Sequence, residues 1–310
     1  MSDSITFVPL TLNHEEAVAR LIHQALVQWY QSRLGQGARF GESHEPFLQF
    51  PRVYEDLDPG EAIAAWDHVT KTLLGVCFTH ERETHLSIGI VATAPEASGR
   101  GIARRMMEAA LEKARAAGKP ARLVSSLLNI DSFSLYTRLG FVPGLIFQDL
   151  MMKVPEDGLK ATPPPGIERV RLAHADEAAA LADLEHKLQH IRREKDYRYF
   201  LADESGAWQV LVVENGQGER QGCLVIGLSF GMLGPGFAVD ATAALALLWQ
   251  GLDTMRGRSP VFLVPCREAA LVKRLYSWGA RNVELHVAQS TAPGPETIGI
   301  CFPTFLPESA

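Results

Sequence analysis

A short stretch, Pro95–Arg104, constrains this chain most, because it joins the end of an apolar run to the start of an amphipathic helix. The preceding run is strand-like, and the following apolar residues recur at helical spacing from Ile102 to Gly118. Glycines in such a turn let the backbone approach an anion, which the free N–H groups and positive dipole end of the helix then face. Arg100 and Arg104 add positive charge beside the same place. The turn therefore predicts a site for a pyrophosphate group.

The turn by itself leaves a second interpretation open. A Gly-Arg-Gly sequence between a strand and a helix is also common as a plain connection that binds nothing. It is not a dinucleotide-binding fingerprint, since Arg104 stands where that pattern has its third glycine. Residues further along the chain are needed to choose between a ligand cradle and a plain loop.

A second motif follows the next strand-like run, Leu123–Leu128. Asn129 is followed by Leu135-Tyr136 and then by Gly140-Phe141. These intervals resemble the final motif of the GCN5-related N-acetyltransferase (GNAT) family, which carries Asn, a small residue, Leu-Tyr and Gly-Phe. This motif and the earlier turn at Pro95–Arg104 stand in the order and at the spacing that the family shows. Together they indicate the fold of the family.

The earlier turn resembles the pyrophosphate motif of the same family, which has Gln or Arg, two residues, Gly, one residue, and Gly or Ala. Ser98, Gly101 and Ala103 occupy those positions, and Pro95 stands where the family prefers proline. Ser98 departs from the pattern, because a long polar side chain is missing at the head of the motif. Since family members hold the phosphate mainly with the main chain, the resemblance implies that binding survives with an altered affinity.

The resemblance implies an acyltransferase site with acetyl-CoA as cosubstrate and no metal. The strand before the turn would pair with the pantetheine arm, the turn would hold the pyrophosphate, and Asn129 would contact the arm. Tyr136 is the implied general acid, since a phenol with a pKa near 10 stays protonated at neutral pH. Without the motif, Tyr136 would be interpreted as a half-buried aromatic residue of a helix. The implied coenzyme-binding residues are Val91, Thr93, Ser98, Gly99, Arg100, Gly101, Ile102, Ala103, Arg104 and Asn129.

The sequence does not identify a general base. Members of the resembled family often use a glutamate on the strand before the turn, but Leu86–Thr93 contains no acid. The nearby candidates are each expected to be solvated turn or loop residues, and they are His80, Glu81, Glu83, His85, Glu42, His44 and Glu45.

The second half of the chain repeats the order of strand and helix patterns found in the first. The implied fold class is therefore α/β, with two tandem acyl-CoA N-acyltransferase (GNAT-like) domains, each built on a mixed sheet. Residues 1–155 are predicted to form the catalytic domain, residues 156–166 a Pro-rich linker and residues 167–310 a degenerate GNAT-like domain.

The second copy is expected to bind no coenzyme A. Leu233–Val239 stands where the first copy has the glycine turn, and Pro235 removes a donor N–H there. Counting back from Gly279 as from Gly140 gives Glu268 and Leu275 in place of the asparagine and the tyrosine. This half is predicted to serve as a wall, lid or interface.

Length and composition limit the class of protein. The 310 residues favour two domains, and 46% hydrophobic with 21% charged residues supplies two cores without general disorder. The formal charge of −6 argues against a nucleic-acid partner. The sequence shows neither a signal peptide nor an apolar run that could span a membrane, so we expect a cytoplasmic protein without a membrane partner. Its four cysteines lack metal or redox spacing.

The resemblance implies an N-acetyltransferase that moves an acetyl group from acetyl-CoA to the primary amine of a small molecule or a peptide, by direct attack on the thioester. The sequence is also compatible with homo-oligomers. The alternative is a non-catalytic acyl-CoA sensor or scaffold, which keeps the coenzyme site but does not catalyse acyl transfer. Acceptor-dependent release of free thiol distinguishes the two.

Overall fold

The structure of the protein is a computed structural model that describes residues 4–292, 294 and 296–307. Within those residues, no helix is both long and apolar enough to cross a membrane.

The chain divides into two compact units. Unit 1 contains the described residues up to Glu81, together with His85–Leu123 and 305–307. Unit 2 contains Arg82–Thr84 and the described residues of Val124–Thr304. Each unit contains several strands and its own buried apolar side chains.

Helices cover both faces of a mixed sheet in unit 1. The last residues of its fifth strand, Val124–Ser126, belong to unit 2. The elements are β1 (Ile5–Pro9), α1 (Glu15–Leu34), α2 (Gln49–Leu57), β2 (Ile63–Asp67), β3 (Thr72–Glu81), β4 (Leu86–Thr93), α3 (Ile102–Ala116) and β5 (Ala121–Ser126).

The strands of unit 1 follow the order β1-β2-β3-β4-β5, antiparallel except for the parallel pair β4 and β5. α3 packs on one face of β3, where a Cβ added to Gly75 would lie 2.9 Å from Cε of Met106. α2 packs on the other face, where Tyr54 stacks on Phe78 with ring centroids 4.6 Å apart. The two faces differ because successive side chains of a strand point to opposite sides.

Unit 2 repeats the strand and helix order of unit 1 after its first two elements. Its elements are α4 (Ile130–Arg138), β6 (Val142–Met151), β7 (Val170–Leu172), α5 (Ala178–Gln189), α6 (Glu194–Leu201), β8 (Trp208–Glu214), β9 (Arg220–Gly227), β10 (Met232–Ala238), α7 (Ala241–Thr254), β11 (Val261–Pro265), α8 (Ala269–Trp278), β12 (Arg281–Ser290) and β13 (Ile300–Phe302).

Strand β6 lies between β12 and β11 and pairs antiparallel with both. It comes from the first half of the sequence, whereas its two neighbours come from the second half. The order continues β11-β10-β9-β8-β7, with β13 beside β10. Because of this pairing, the boundaries of the two compact units differ from the domain limits predicted from the sequence, which were 1–155, 156–166 and 167–310. Those domain limits remain a prediction.

A buried carboxylate anchors the start of α5. The guanidinium of Arg171 donates to Glu177 Oε2 at 2.7 Å, and Arg220 Nε donates to Oε1 at 2.7 Å. The backbone N–H of His174 donates to the same carboxylate at 2.7 Å. The hydrogen bond from Arg171 is the main cause that lowers the pKa of Glu177 to about 2. The Glu177 carboxylate therefore stabilises the folded state only while it is ionised.

Replacement of Glu177 by Gln should lower the free energy of unfolding at pH 7 by on the order of 2 kcal/mol, because one member of a buried ion cluster loses its charge. The pKa falls from an ordinary 4.5 to about 2 on folding, so this stabilisation is present above pH 4.5 and is lost as the pH falls towards 2. Urea unfolding of both proteins at pH 7 and pH 3 measures the difference, which should shrink at pH 3.

The matched control is Glu168→Gln, since Glu168 pairs with Arg169 while its side chain is 63% exposed. This exposed pair should contribute less than about 1 kcal/mol at either pH. If Glu177→Gln lowered the free energy of unfolding equally at both pH values, the carboxylate charge would not be the source of the stabilisation.

Candidate active site

Strand β4 separates from β5 soon after it begins. The parallel register joins Leu86 to Ala121 and Ser87 to Arg122, and in the described part of the chain it does not continue beyond Ser87. On its other side, β4 carries one residue more than β3 between the pairs at Ile88 and Val91. This extra residue is a β-bulge, which bends the strand and leaves one of its edges open.

The open edge presents backbone groups of two residues. The N–H of Ala94 donates to the Leu74 carbonyl at 2.9 Å, which fixes which residues of β4 bond to β3. Because bonding alternates along an antiparallel pair, Ala92 also bonds to β3, while Val91 and Thr93 direct their N–H and C=O groups away from it. Val91 and Thr93 are the residues that the sequence predicted to pair with the pantetheine arm.

The turn after β4 depends on two glycines with left-handed backbone. Gly99 has a φ of 79° and Gly101 a φ of 74°, a region that side chains disfavour. Among the described residues, no atom lies within 4 Å of the place where a Cβ would stand at either glycine. The glycines are therefore needed for the backbone path, and the space beside them is open.

Several backbone donors of this turn and of the first turn of α3 have no acceptor. The N–H of Ser98 donates to Pro95 and that of Arg100 to Ala97, so these two groups are used within the turn. The first bond at the start of the helix runs from Arg105 N–H to the Gly101 carbonyl at 3.1 Å. Within the residues that the structure describes, the donors without an acceptor are the N–H groups of Gly99, Gly101, Ile102, Ala103 and Arg104. Such a group of N–H donors at a helix start is suited to bind an anion.

The two arginines of the turn already face carboxylates. Arg100 lies 4.0 Å from Asp67, and Arg104 Nε donates to Glu108 at 2.8 Å. Both arginines are solvent-exposed, so these pairs are weak and can exchange for a phosphate. Ser98 is exposed as well, and its short side chain cannot reach across the turn. The positive potential here comes largely from the main chain.

Asn129 and Tyr136 lie in unit 2, whereas the other predicted site residues lie in unit 1. Asn129 is the N-cap of α4, and its side chain accepts a hydrogen bond from Ser132 N–H at 3.0 Å. Tyr136 is 7% exposed, more buried than the half-buried aromatic that the sequence alone suggests, and its ring lies 6.0 Å from that of Phe141. The coenzyme-contact and general-acid roles stay predictions.

Two of the expected turn residues are in fact buried. His80 and His85 are fully buried, so their assignment as solvated residues was wrong, whereas Glu81 and Glu83 are exposed as expected. His80 lies inside β3 on the same face as Phe78, and its Nδ1 is hydrogen-bonded to Asp58. Every residue of β3 from Leu73 to His80 is buried, so the strand is covered on both faces and the histidine near its end is covered with it.

The connection between β10 and α7, which the structure describes in full, has no counterpart of the glycine turn. The segment predicted to replace it, Leu233–Val239, lies in β10 up to Ala238, so that alignment was wrong. Only Val239 and Asp240 connect β10 to α7, and the Asp240 side chain accepts a hydrogen bond from Ala243 N–H at 2.9 Å. A carboxylate therefore occupies the helix start that the first copy leaves open.

The end of the second copy follows the predicted register. Glu268 is the N-cap of α8, as Asn129 is of α4, and Leu275 is fully buried.

Among the described residues, no group of three or more His, Cys, Asp or Glu side chains is arranged to hold a metal ion.

Part of the chain matches a known family. Residues 23–141 match the acetyltransferase (GNAT) family. A search of curated proteins gave no match.

Solved structures with the same fold match both halves of the chain. A candidate acetyltransferase from Pyrococcus horikoshii is 14% identical with a TM-score of 0.74, over 96% of this chain and 92% of that one. A GCN5-related N-acetyltransferase from Sphaerobacter thermophilus is 17% identical with a TM-score of 0.61, over 96% and 98%. A tandem GNAT protein from the clavulanic acid biosynthesis pathway is 15% identical with a TM-score of 0.57, over 94% and 100%. These likenesses confirm the predicted tandem α/β fold. Residues 23–141 are thus similar to the GNAT acetyltransferase family, and the chain as a whole has a tandem GNAT-like fold.

Proposed function

We propose that the protein is an N-acetyltransferase that moves an acetyl group from acetyl-CoA to the primary amine of an acceptor. One observation carries the proposal: the open edge of β4 runs directly into a turn of unpaired N–H donors at the start of α3. Coenzyme A combines a pantetheine arm rich in amides with a pyrophosphate, and these are the two chemistries that such an edge and such a turn bind.

In this proposal, Val91 and Thr93 pair with the amides of the arm, as an added strand would. The turn from Ser98 to Arg104 holds the pyrophosphate with its N–H groups, and hydrogen bonds to charged groups contribute roughly 1.5–3 kcal/mol each. The exposed side chains of Arg100 and Arg104 leave their acidic partners to meet part of the phosphate charge. Asn129 contacts the arm through its side-chain amide.

The chemistry needs a neutral amine, a polarised thioester carbonyl and a protonated leaving group. The amine nitrogen forms a bond to the carbonyl carbon, and the C–S bond of the thioester then breaks. Tyr136 gives its proton to the departing thiolate and is restored by a proton released from the amine. The phenol suits this role, because its ordinary pKa near 10 keeps it protonated at neutral pH and so able to donate to the thiolate as that charge develops.

The alternative function is a non-catalytic acyl-CoA sensor or scaffold. A thiol reagent that detects free coenzyme A separates the two, when acetyl-CoA is supplied with amines, amino acids, aminoglycosides and peptides that have free N-termini. An enzyme releases thiol only when its acceptor is present. A protein that binds acetyl-CoA but releases no thiol with any member of a broad panel would be the sensor.

Replacement of Gly101 by Glu should abolish coenzyme binding, because the substitution puts a negative charge and a side chain into the open space beside the turn. Titration calorimetry with coenzyme A should give close to one site per wild-type chain and none for Gly101→Glu. The full chain is used, since β6 from the first half pairs with β11 and β12 from the second.

The matched control is Gly218→Glu in a turn of unit 2. Gly218 has a φ of 78° and no described atom within 4 Å of its Cβ position, so this variant carries the same backbone strain and charge. It should keep one site with the wild-type affinity. Unchanged binding by Gly101→Glu would refute the turn as the pyrophosphate site, and two sites per wild-type chain would refute a degenerate second copy.

Tyr136→Phe should lower the turnover rate by about 10²-fold while coenzyme affinity stays close to wild type, because only a proton donor is removed. Single-turnover kinetics with acetyl-CoA and the acceptor found in the panel measure the chemical step. The control is Tyr276→Phe, since Tyr276 lies in α8, is 44% exposed and bonds to Gln148. An unchanged chemical rate in Tyr136→Phe would exclude the general-acid role.

A further inference from the structure

A tyrosine of α2 reaches the backbone of β4 at its bulge. Tyr54 is 1% exposed, and its ring is stacked on Phe78. A Cβ added to Gly89 would overlap the Tyr54 hydroxyl and would lie 2.6 Å from Cζ. Gly89 is not among the glycines with positive φ, so glycine is required here by the close approach of the ring. The hydroxyl of Tyr54 therefore fills the place of a side chain at position 89.

A buried pair holds the end of α2, and with it Tyr54, against β3. His80 of β3 is hydrogen-bonded through Nδ1 to Oδ2 of Asp58, and the His80 side chain is fully buried. The N–H of Asp58 donates to the Tyr54 carbonyl at 2.8 Å, one helical turn back. The rings of His80 and Tyr54 meet edge to face, with centroids 6.5 Å apart. The pair therefore fixes the helix end from which Tyr54 projects.

The bulge that Tyr54 contacts is where the candidate site begins. Gly89 lies two residues after Ser87, the last residue of β4 that pairs with β5, and the groups of Val91 and Thr93 on the open edge come directly after the bulge. A bulge sets the direction of the strand beyond it. A shift of the backbone at Gly89 would therefore turn the groups at Val91 and Thr93.

We propose that Tyr54 is a positioning residue for the coenzyme arm, which fixes the β4 bulge and thereby aims the open-edge groups of Val91 and Thr93. The inference rests on the proposed function, because it takes that edge to bind the pantetheine arm. Tyr54 acts through Gly89 from the α2 face. The pyrophosphate turn is built separately, at the start of α3, which packs on the opposite face of β3 at Gly75.

Binding of the pantetheine arm and binding of the pyrophosphate can therefore be tested separately. Gly89→Ala adds a methyl group against Tyr54, and overpacking of this kind displaces backbone. Its affinity for acetyl-CoA and coenzyme A should fall about tenfold or more, whereas affinity for ADP, which has the pyrophosphate without the arm, should change less than about twofold. Calorimetry on the full chain measures all three ligands, and thermal unfolding shows whether the variants fold.

A double-mutant cycle tests whether Tyr54 is the cause. In a Tyr54→Leu background the ring is gone, so Gly89→Ala should cost less than about twofold in acetyl-CoA affinity. Tyr54→Phe keeps the ring and removes the hydroxyl, so it should restore part of the loss even if the leucine variant does not fold. The control is Gly227→Ala in β9, where an added Cβ would lie 3.2 Å from the Trp208 ring. This control should leave acetyl-CoA affinity unchanged.

The outcomes separate this proposal from the proposed function. Additive effects of the Tyr54 and Gly89 substitutions, or an equal loss of ADP and acetyl-CoA affinity in Gly89→Ala, would overturn the positioning role alone. A wild-type chain that binds ADP but neither coenzyme A nor acetyl-CoA would overturn the proposed function, and the role of the open edge with it. Strong coupling confined to the ligands that carry the arm would support the inference.

Discussion

Unpaired backbone groups along one edge of β4 are the constraint on which the candidate site depends. Strand interiors normally pair their N–H and C=O groups on both sides, and groups left without partners cost free energy unless water or a ligand satisfies them. Here the pairing with β5 extends only to Ser87, and a bulge at Gly89 and Ile90 keeps the rest of the edge open. The same chain segment then enters a helix start with unused donors. One elongated ligand with amides and phosphates would satisfy both.

Three glycines make this arrangement possible for two different reasons. Gly99 and Gly101 adopt left-handed φ values that other residues disfavour, which turns the chain from strand to helix. Gly89 has no such requirement, but a side chain there would collide with Tyr54. Substitutions at these positions are therefore expected to disturb the site in different ways. At Gly99 and Gly101 they would change the backbone path, and at Gly89 they would change the packing against α2.

The second half keeps the order of elements but differs from the first at the connection from its fourth strand to the following helix. Its connection from β10 to α7 is only Val239 and Asp240, and the Asp240 carboxylate caps the helix. A capping carboxylate satisfies the donors and repels an anion at the same helix end. The half is nevertheless needed for the sheet, because β11 and β12 both pair with β6 from the first half. The two halves thus differ at this helix start although their strands are joined by hydrogen bonds.

Local patterns in the sequence determined the turn at Pro95–Arg104, the helix that carries Tyr136, and the repeated order of strands and helices. Each of these depends on residues close together in the chain, through side-chain periodicity and turn or cap chemistry. Only the tertiary structure decided that β6 lies between β11 and β12, that His80 is buried against Asp58 and that Tyr54 meets Gly89. Those outcomes depend on which distant strand or helix packs against a given face, and one sequence does not specify the partner because many pairings would bury similar apolar area.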